Sequence, residues 1–290
     1  CAIRLNRRDN ECKGNCMDDI LHINKVFPFK MAACLPVCNG NYLRWLRALL
    51  ERLGRDGALS IWREACQVHE DTLLTQILST GWKDTPPAEA VDVEKSIGEL
   101  YPKYFPVVVE GVGQEDARRL VEMMPPILQV RQTFSSLNVW KDTTAYEALH
   151  LRFDGIARLC EGLIRWHGKQ GELIAYDLLR ESRIRARGGK TGSVAEFMAD
   201  FIADPEEANL FTAGLEIEIV RASEAEAVLN VKECAWARYF RERHPGVGYL
   251  VACSTDEADY RAFNDHLRVQ RTSTLMEGGE VCDFRVYAVD

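Results

Sequence analysis

The chain ends on RTSTLMEGGEVCDFRVYAVD, and its closing third holds the side chains best suited to chemistry. Arg271, Thr272 and Thr274 precede a Glu-Gly-Gly-Glu turn; Cys282, Asp283 and Arg285 follow it. Two guanidiniums, two hydroxyls and a carboxylate across one hairpin would cradle a small ligand that itself bears a carboxylate, since Arg meets carboxylates through paired N–H donors. Cys253 stands just ahead of a helical segment, where the positive end of the helix favours a nucleophilic thiolate. A buried structural thiol fits that position equally well. Asp256, in the first turn of the same helix, reads from position alone as a complement to the dipole. Alternation sets Cys282, Phe284 and Val286 on one face of the last strand and Asp283 and Arg285 on the other. On alternation alone, Asp283 and Arg285 read as an outer-face ion pair of small energetic weight.

The elements that must position these groups divide the chain. Residues 1–40 read as an irregular, Cys-rich segment, 41–149 as a helical extension, and 150–290 as an α+β domain. The fold class is α+β: a mainly helical N-terminal part, then a C-terminal antiparallel sheet of about four strands with crossing helices. Within the helical part LLERLGRDGALSI (49–61) lines up with LIRWHGKQGELIA (163–175), from an ancient duplication or from two similar helical hairpins. Helical patterns also cover 114–124 and 126–137. RARGGKTGSVAEF (185–197) lacks the first glycine of the Gly-x-x-x-x-Gly-Lys phosphate loop, and Ser193-x-x-Glu196 reads instead as a capping box. LEIEIV (215–220) and AVLNVKE (227–233) alternate with period two and pair across a polar turn. Cys234 opens an amphipathic helix that stops at Pro245-Gly246; His244 beside the stop could be a base or a ligand, though a histidine at a helix C-terminus is usually a cap. GYLVAC (248–253) fits a short strand or a buried helical turn. Ser254-x-x-Glu257 caps the next helix, and strands at about 267–276 and 280–289 close the domain.

The chain has 290 residues and a net charge of −8, which argues against nucleic acid or an anionic membrane as partner. No apolar run reaches the length of about 18 residues that a membrane span needs. A cytoplasmic protein acting on a small molecule, with room for a homo-oligomer, is the expectation. Five of the ten cysteines fall in the first 38 positions, where Cys12/Cys16 and Cys34/Cys38 each have C-x3-C spacing. Metal sites more often use C-x2-C, so no metal or cofactor is expected, and a metal-dependent enzyme built on these thiols is the alternative. A start at Cys1 reads as a trimmed or arbitrary N-terminus.

Cys234, Cys253, Asp256, Arg271, Thr272, Thr274, Leu275, Gly278, Cys282, Asp283, Phe284 and Arg285 together resemble the L-2-amino-thiazoline-4-carboxylic acid hydrolase family, whose members end in a threonine-rich strand, a Gly-containing turn and a Cys-Asp-Phe-Arg strand. The similarity covers about residues 150–290. It implies a hydrolase that opens a C–N bond of a small cyclic amidine or related heterocycle bearing a carboxylate, with a carbamoyl-cysteine product. It further implies Cys253, Asp283 and Asp256 as catalytic groups, and Arg271, Arg285, Thr272, Thr274 and Cys282 as substrate contacts. Which thiol attacks stays open, because Cys282 and Asp283 occupy opposite strand faces. The ending is also similar to 4-vinyl-reductase-type domains, which implies a non-catalytic small-molecule-binding or sensory domain as the alternative.

Overall fold

The computed structural model describes residues 26–30, 42–66, 140–187, 191–203, 210–211 and 213–289. The C-x3-C pairs and the helical patterns at 114–137 lie outside these residues.

Among the described residues, the helical part holds two kinked helices, α1 (Tyr42–Cys66) and α2 (Ala145–Arg187). Each bends at the first glycine of its Gly-x-x-Gly run, Gly54 at φ 69° and Gly168 at φ 54°. Only glycine takes that backbone conformation without a Cβ penalty. The two kinks sit at matching places in the internal similarity, and the helices pack together. Trp45, Leu49 and Ile61 of α1 are buried, as are Leu159 and Leu163 of α2. Arg52 reaches across to Asp177 (3.2 Å) and Glu181 (3.4 Å). A small antiparallel pair, β1 (Val26–Lys30) with β2 (Trp140–Thr144), leads into α2; β1 is extended chain within a segment read from sequence as irregular. Helix α3 (Val194–Ala203) begins with the expected capping box: Ser193 N–H donates to Glu196 Oε2 (2.8 Å), and Glu196 N–H to Ser193 Oγ (3.2 Å).

The C-terminal part carries the four-stranded antiparallel sheet, in the order β3 (Leu215–Ala222), β4 (Glu226–Cys234), β6 (Cys282–Ala288), β5 (Leu267–Gln270). Its inner face supplies the core. Val194 and Phe197 of α3 meet Ala227, Leu267, Val286 and Phe263, while Leu229, Val231 and Cys282 continue the cluster with Leu215, Ile217, Cys234 and Phe284 beside them. Between β4 and β5 run α4 (Ala235–Arg243), a five-residue π-helical turn (Tyr249–Cys253) and α5 (Asp256–Phe263). Among the described residues no helix is long and apolar enough to cross a membrane.

Two local expectations change. The last two strands do not form a tight hairpin: β5 ends at Gln270 and β6 begins at Cys282, so Arg271, Thr272 and Thr274 lie on a connecting strap and not on a strand. The side chains of the strap explain this. Thr274 caps a 3-10 turn (Leu275–Glu277) by accepting from Glu277 N–H (3.1 Å), and Gly278 closes it at φ 93°. Ser254 does not cap α5; its hydroxyl donates to Leu250 O (2.6 Å), and Thr255 takes the N-cap position without a side-chain bond.

Candidate active site

The π-helical turn, the start of α5, the strap and the inner face of β6 bring together four of the residues singled out from sequence. Arg271 is the centre. Its Nη1 donates to Asp256 Oδ2 at 2.7 Å and its Nη2 to the Cys253 carbonyl at 3.3 Å. Its guanidinium lies 4.9 Å from the ring centroid of Phe284 and 5.8 Å from that of Tyr249. The Arg271 side chain is 11% exposed and that of Asp256 24%, so the pair is largely desolvated yet reachable from solvent on the carboxylate side. Tyr249, 41% exposed, lies at the open edge.

Electrostatics follow from this packing. Burial pushes the Asp256 carboxyl above its ordinary value, with Arg271 and Arg183 pulling the other way. Burial also pulls on the Arg271 guanidinium, and the adjacent Asp256 carboxylate and Cys253 outweigh it and hold the charged form. Cys253 sits two residues before the helix cap, and burial together with the nearby Asp256 carboxylate raises its thiol well above the usual range, against a smaller opposing effect of Arg271. The expected thiolate-favouring influence of the helix N-terminus is therefore overridden in the empty site. Cys234 and Cys282 lie close enough to Cys253 to feel its charge. Cys234 caps α4 by accepting from Ala237 N–H (3.4 Å), and burial pushes it up to about 12. Cys282 Sγ accepts from Leu275 N–H (3.2 Å), fixing the strap from below, and burial raises its thiol as well.

Asp283 and Arg285 are placed elsewhere. On the outer face Asp283 takes three hydrogen bonds from the strap: Thr272 N–H (2.9 Å) and Ser273 N–H (2.6 Å) to Oδ1, and the Thr272 hydroxyl (2.5 Å) to Oδ2. Desolvation of the Asp283 carboxyl is outweighed by these donors, which hold it below its ordinary value. Arg285 pairs with Glu226 at 2.6 Å and lies over Tyr287, more than half exposed. Thr274 uses its hydroxyl on Glu277 Oε2 (2.9 Å). The structure thus joins Cys253, Asp256, Arg271 and Cys282 and leaves Asp283, Thr272 and Thr274 as parts of the frame that carries Arg271.

Sequence reasoning missed Phe284, Tyr249 and Arg183. Phe284 shares the parity of Cys282, so alternation already put it on the inner face. Tyr249 and Arg183 belong to elements that meet the site only after folding, and nothing local marks them. Among the described residues no group of three or more His, Cys, Asp or Glu side chains converges as a metal site.

Residues 143–286 match the family model described as L-2-amino-thiazoline-4-carboxylic acid hydrolase. No curated protein and no solved structure matches the chain. The matched span runs from the end of β2 to the inner face of β6 and contains every residue of the cluster around Arg271. Residues 143–286, the C-terminal half of the chain, belong to the L-2-amino-thiazoline-4-carboxylic acid hydrolase family, and the activity that this membership carries is that of a hydrolase.

Proposed function

We propose that the chain hydrolyses a small cyclic amidine bearing a carboxylate, of the 2-amino-thiazoline-4-carboxylate kind. The observation that carries this reading is the Asp256–Arg271 pair at 2.7 Å, flanked by Phe284 and Tyr249. A substrate with an amidinium at one end and a carboxylate at the other has the complementary charges. Its carboxylate takes the Arg271 guanidinium, its amidinium takes Asp256, and its ring lies along the aromatic edges.

Cys253 is the nucleophile in this reading and Asp256 the proton carrier. The bound amidinium brings a positive charge beside Cys253 and offsets the burial that holds the thiol protonated. The proton passes to Asp256 as Cys253 Sγ bonds to the amidine carbon and the C=N electrons move onto nitrogen. The tetrahedral carbon then breaks its bond to the ring sulfur, which leaves with the electron pair and takes the proton from Asp256. Water adds to the carbon held on Cys253, Asp256 receives its proton, and the Cys253–carbon bond breaks. The proton returns to the departing Cys253 sulfur, and the added hydroxyl gives up its own proton to solvent as the carbonyl forms, leaving a carbamoyl amino acid with a free thiol. Atom balance sharpens the sequence reading: from a 2-amino-thiazoline, a carbamoyl product requires that the ring carbon–sulfur bond break. A C–N bond breaks where the ring heteroatom is nitrogen or where the exocyclic amine is expelled.

No cofactor is invoked. The described cysteines Cys160, Cys234, Cys253 and Cys282 are free thiols, in keeping with a reducing compartment such as the cytoplasm. The test is incubation with 2-amino-thiazoline-4-carboxylate, following free thiol with a chromogenic disulfide and product mass by chromatography. Release of one thiol per carbamoyl product supports the hydrolase. Binding without product, seen as a thermal shift alone, would favour the sensory-domain alternative.

A further inference from the structure

Behind the cluster lies a second group of polar side chains that the proposed chemistry does not use. His244, the C-terminal cap of α4, is only 3% exposed, and both of its ring nitrogens meet carboxylates of α2. Nδ1 is 2.9 Å from Glu161 Oε1 and Nε2 is 3.1 Å from Asp154 Oδ1. A carboxylate offers no hydrogen to donate, so an imidazole bonded to one at each nitrogen must carry a proton on both. Asp154 is itself 6% exposed and bound by Arg158 Nε at 2.8 Å, which keeps it ionised. Two carboxylates, one guanidinium and one imidazolium make a neutral set; a neutral His244 would take the cation away from the Glu161 carboxylate, which is only partly exposed.

The remaining titratable and charged groups facing this set are His150, Tyr239, Tyr146 and Arg243. His150 Nδ1 lies 3.5 Å from Asp154 Oδ1 and 3.4 Å from the Tyr239 hydroxyl, and Arg243 Nε donates to the Tyr146 hydroxyl at 3.4 Å. Burial, with Arg243, His244 and Arg158 nearby, lowers His150 despite Asp154. Burial pulls His244 down as well, but its bonds to Asp154 and Glu161 outweigh burial and raise it. His150 and His244, which share Asp154, are thus shifted in opposite directions.

The chain leaving His244 leads straight to the candidate nucleophile. His244 O accepts from Val247 N–H (3.1 Å), Val247 O from Val251 N–H (2.9 Å), and Tyr249 O from Ser254 N–H (2.8 Å). These links overlap along residues 244–254, the corner between the α4 cap and the start of α5 that contains Cys253. We infer that His244 is a positioning residue: held as an imidazolium between Asp154 and Glu161, it pins to α2 the corner that presents Tyr249, Cys253 and Asp256. Its effect on turnover rests on the function proposed above, whereas its protonation and its hold on the corner can be read without any substrate.

Three readouts on the full chain decide it. Long-range 15N correlation spectra at about pH 7.5 should show both His244 nitrogens protonated, assigned by their loss in His244→Gln; a neutral tautomer there overturns the inference. In His244→Gln, iodoacetamide should modify Cys253 about tenfold faster than in the parent, while Cys160, buried on α2, keeps its rate. Equal change at both thiols, or at neither, overturns it. If His244→Gln does not fold, Glu161→Gln provides the alkylation comparison and should move the His244 titration to lower pH; an unmoved titration overturns the inference. With an active enzyme, His244→Gln should lower kcat about a hundredfold and change KM far less, and Glu161→Gln should bring the alkaline fall of kcat to lower pH. Unchanged kcat with the spectra as expected would confine His244 to holding structure and overturn the positioning role. Failure of the parent to turn over the amidine leaves the spectra and the alkylation to decide, and so separates the two readings.

Discussion

Arg271 Nη1 lies 2.7 Å from Asp256 Oδ2, joining the strap after β5 to the first turn of α5 across fifteen residues of chain. Each partner neutralises the other, which is the arrangement a doubly charged substrate would have to open. Burial raises the Asp256 carboxyl above its ordinary value against the pull of Arg271, so it takes up a proton more readily than a surface aspartate does.

Replacing Arg271 by Lys keeps the charge but loses the planar fork that binds Asp256, the Cys253 carbonyl and, in the proposed complex, the substrate carboxylate. Steady-state kinetics of Arg271→Lys should show KM raised about tenfold or more, with a smaller change in kcat. A fall confined to kcat would argue against a carboxylate anchor.

Asp283 acts on the strap. Asp283→Ala removes the acceptor for three hydrogen bonds and should cost about 1–3 kcal/mol of stability, measurable by urea unfolding. Asp283→Asn, which keeps one carbonyl oxygen for the two backbone donors, should lose much less. The folded carboxyl is held low, so its contribution is present above the unfolded value of about 3.9 and is lost as pH falls through the folded value. The stability gap between parent and Asp283→Ala should therefore narrow in acid and stay constant above about pH 5.

Cys253 should be a slow thiol when the site is empty. Burial and the Asp256 carboxylate hold it protonated, so peptide mapping should find its alkylation slower than that of free cysteine near pH 8, steepening only in stronger alkali. Asp256→Asn removes one of the two causes and should speed that alkylation. Alkylation of Cys253 as fast as free cysteine at neutral pH would contradict the electrostatic account.

Gly248 is a tight point of the corner between α4 and Cys253. A Cβ there would stand 2.7 Å from both Met276 Sδ and Phe240 Cβ. The methionine tail can move, but the Phe240 Cβ cannot move without shifting α4. Gly248→Ala should lower stability by about 1–3 kcal/mol, seen as a reduced melting temperature.

Much of the framework was legible because its signals are local. Alternation in LEIEIV and AVLNVKE marks β3 and β4, Ser193-x-x-Glu196 marks the start of α3, and the parity of the last strand sets Cys282 and Phe284 inward against Asp283 and Arg285 outward. The strap was not legible. RTSTLMEGG carries apolar and polar residues in strand-like order, yet Asp283 and Thr274 compete for its backbone donors and draw it out of the ladder. The choice among thiols was half legible: parity separated Cys282 from Asp283, but only the folded corner places Cys253 beside Asp256 and Arg271. Asp154 and Glu161 are seven residues apart on α2, so both face the same way, toward His244. That pair of acids was a signal for a buried cation, and its partner His244 lies too far along the chain to be matched from sequence.

The most direct test of the central claim is the turnover of 2-amino-thiazoline-4-carboxylate by the parent protein and by Asp256→Asn, with thiol release and carbamoyl product measured together. The account predicts product from the parent and a loss of about a hundredfold or more in kcat for Asp256→Asn, which keeps the shape of the pair but cannot carry a proton. Product formation by Asp256→Asn at the parental rate would contradict it.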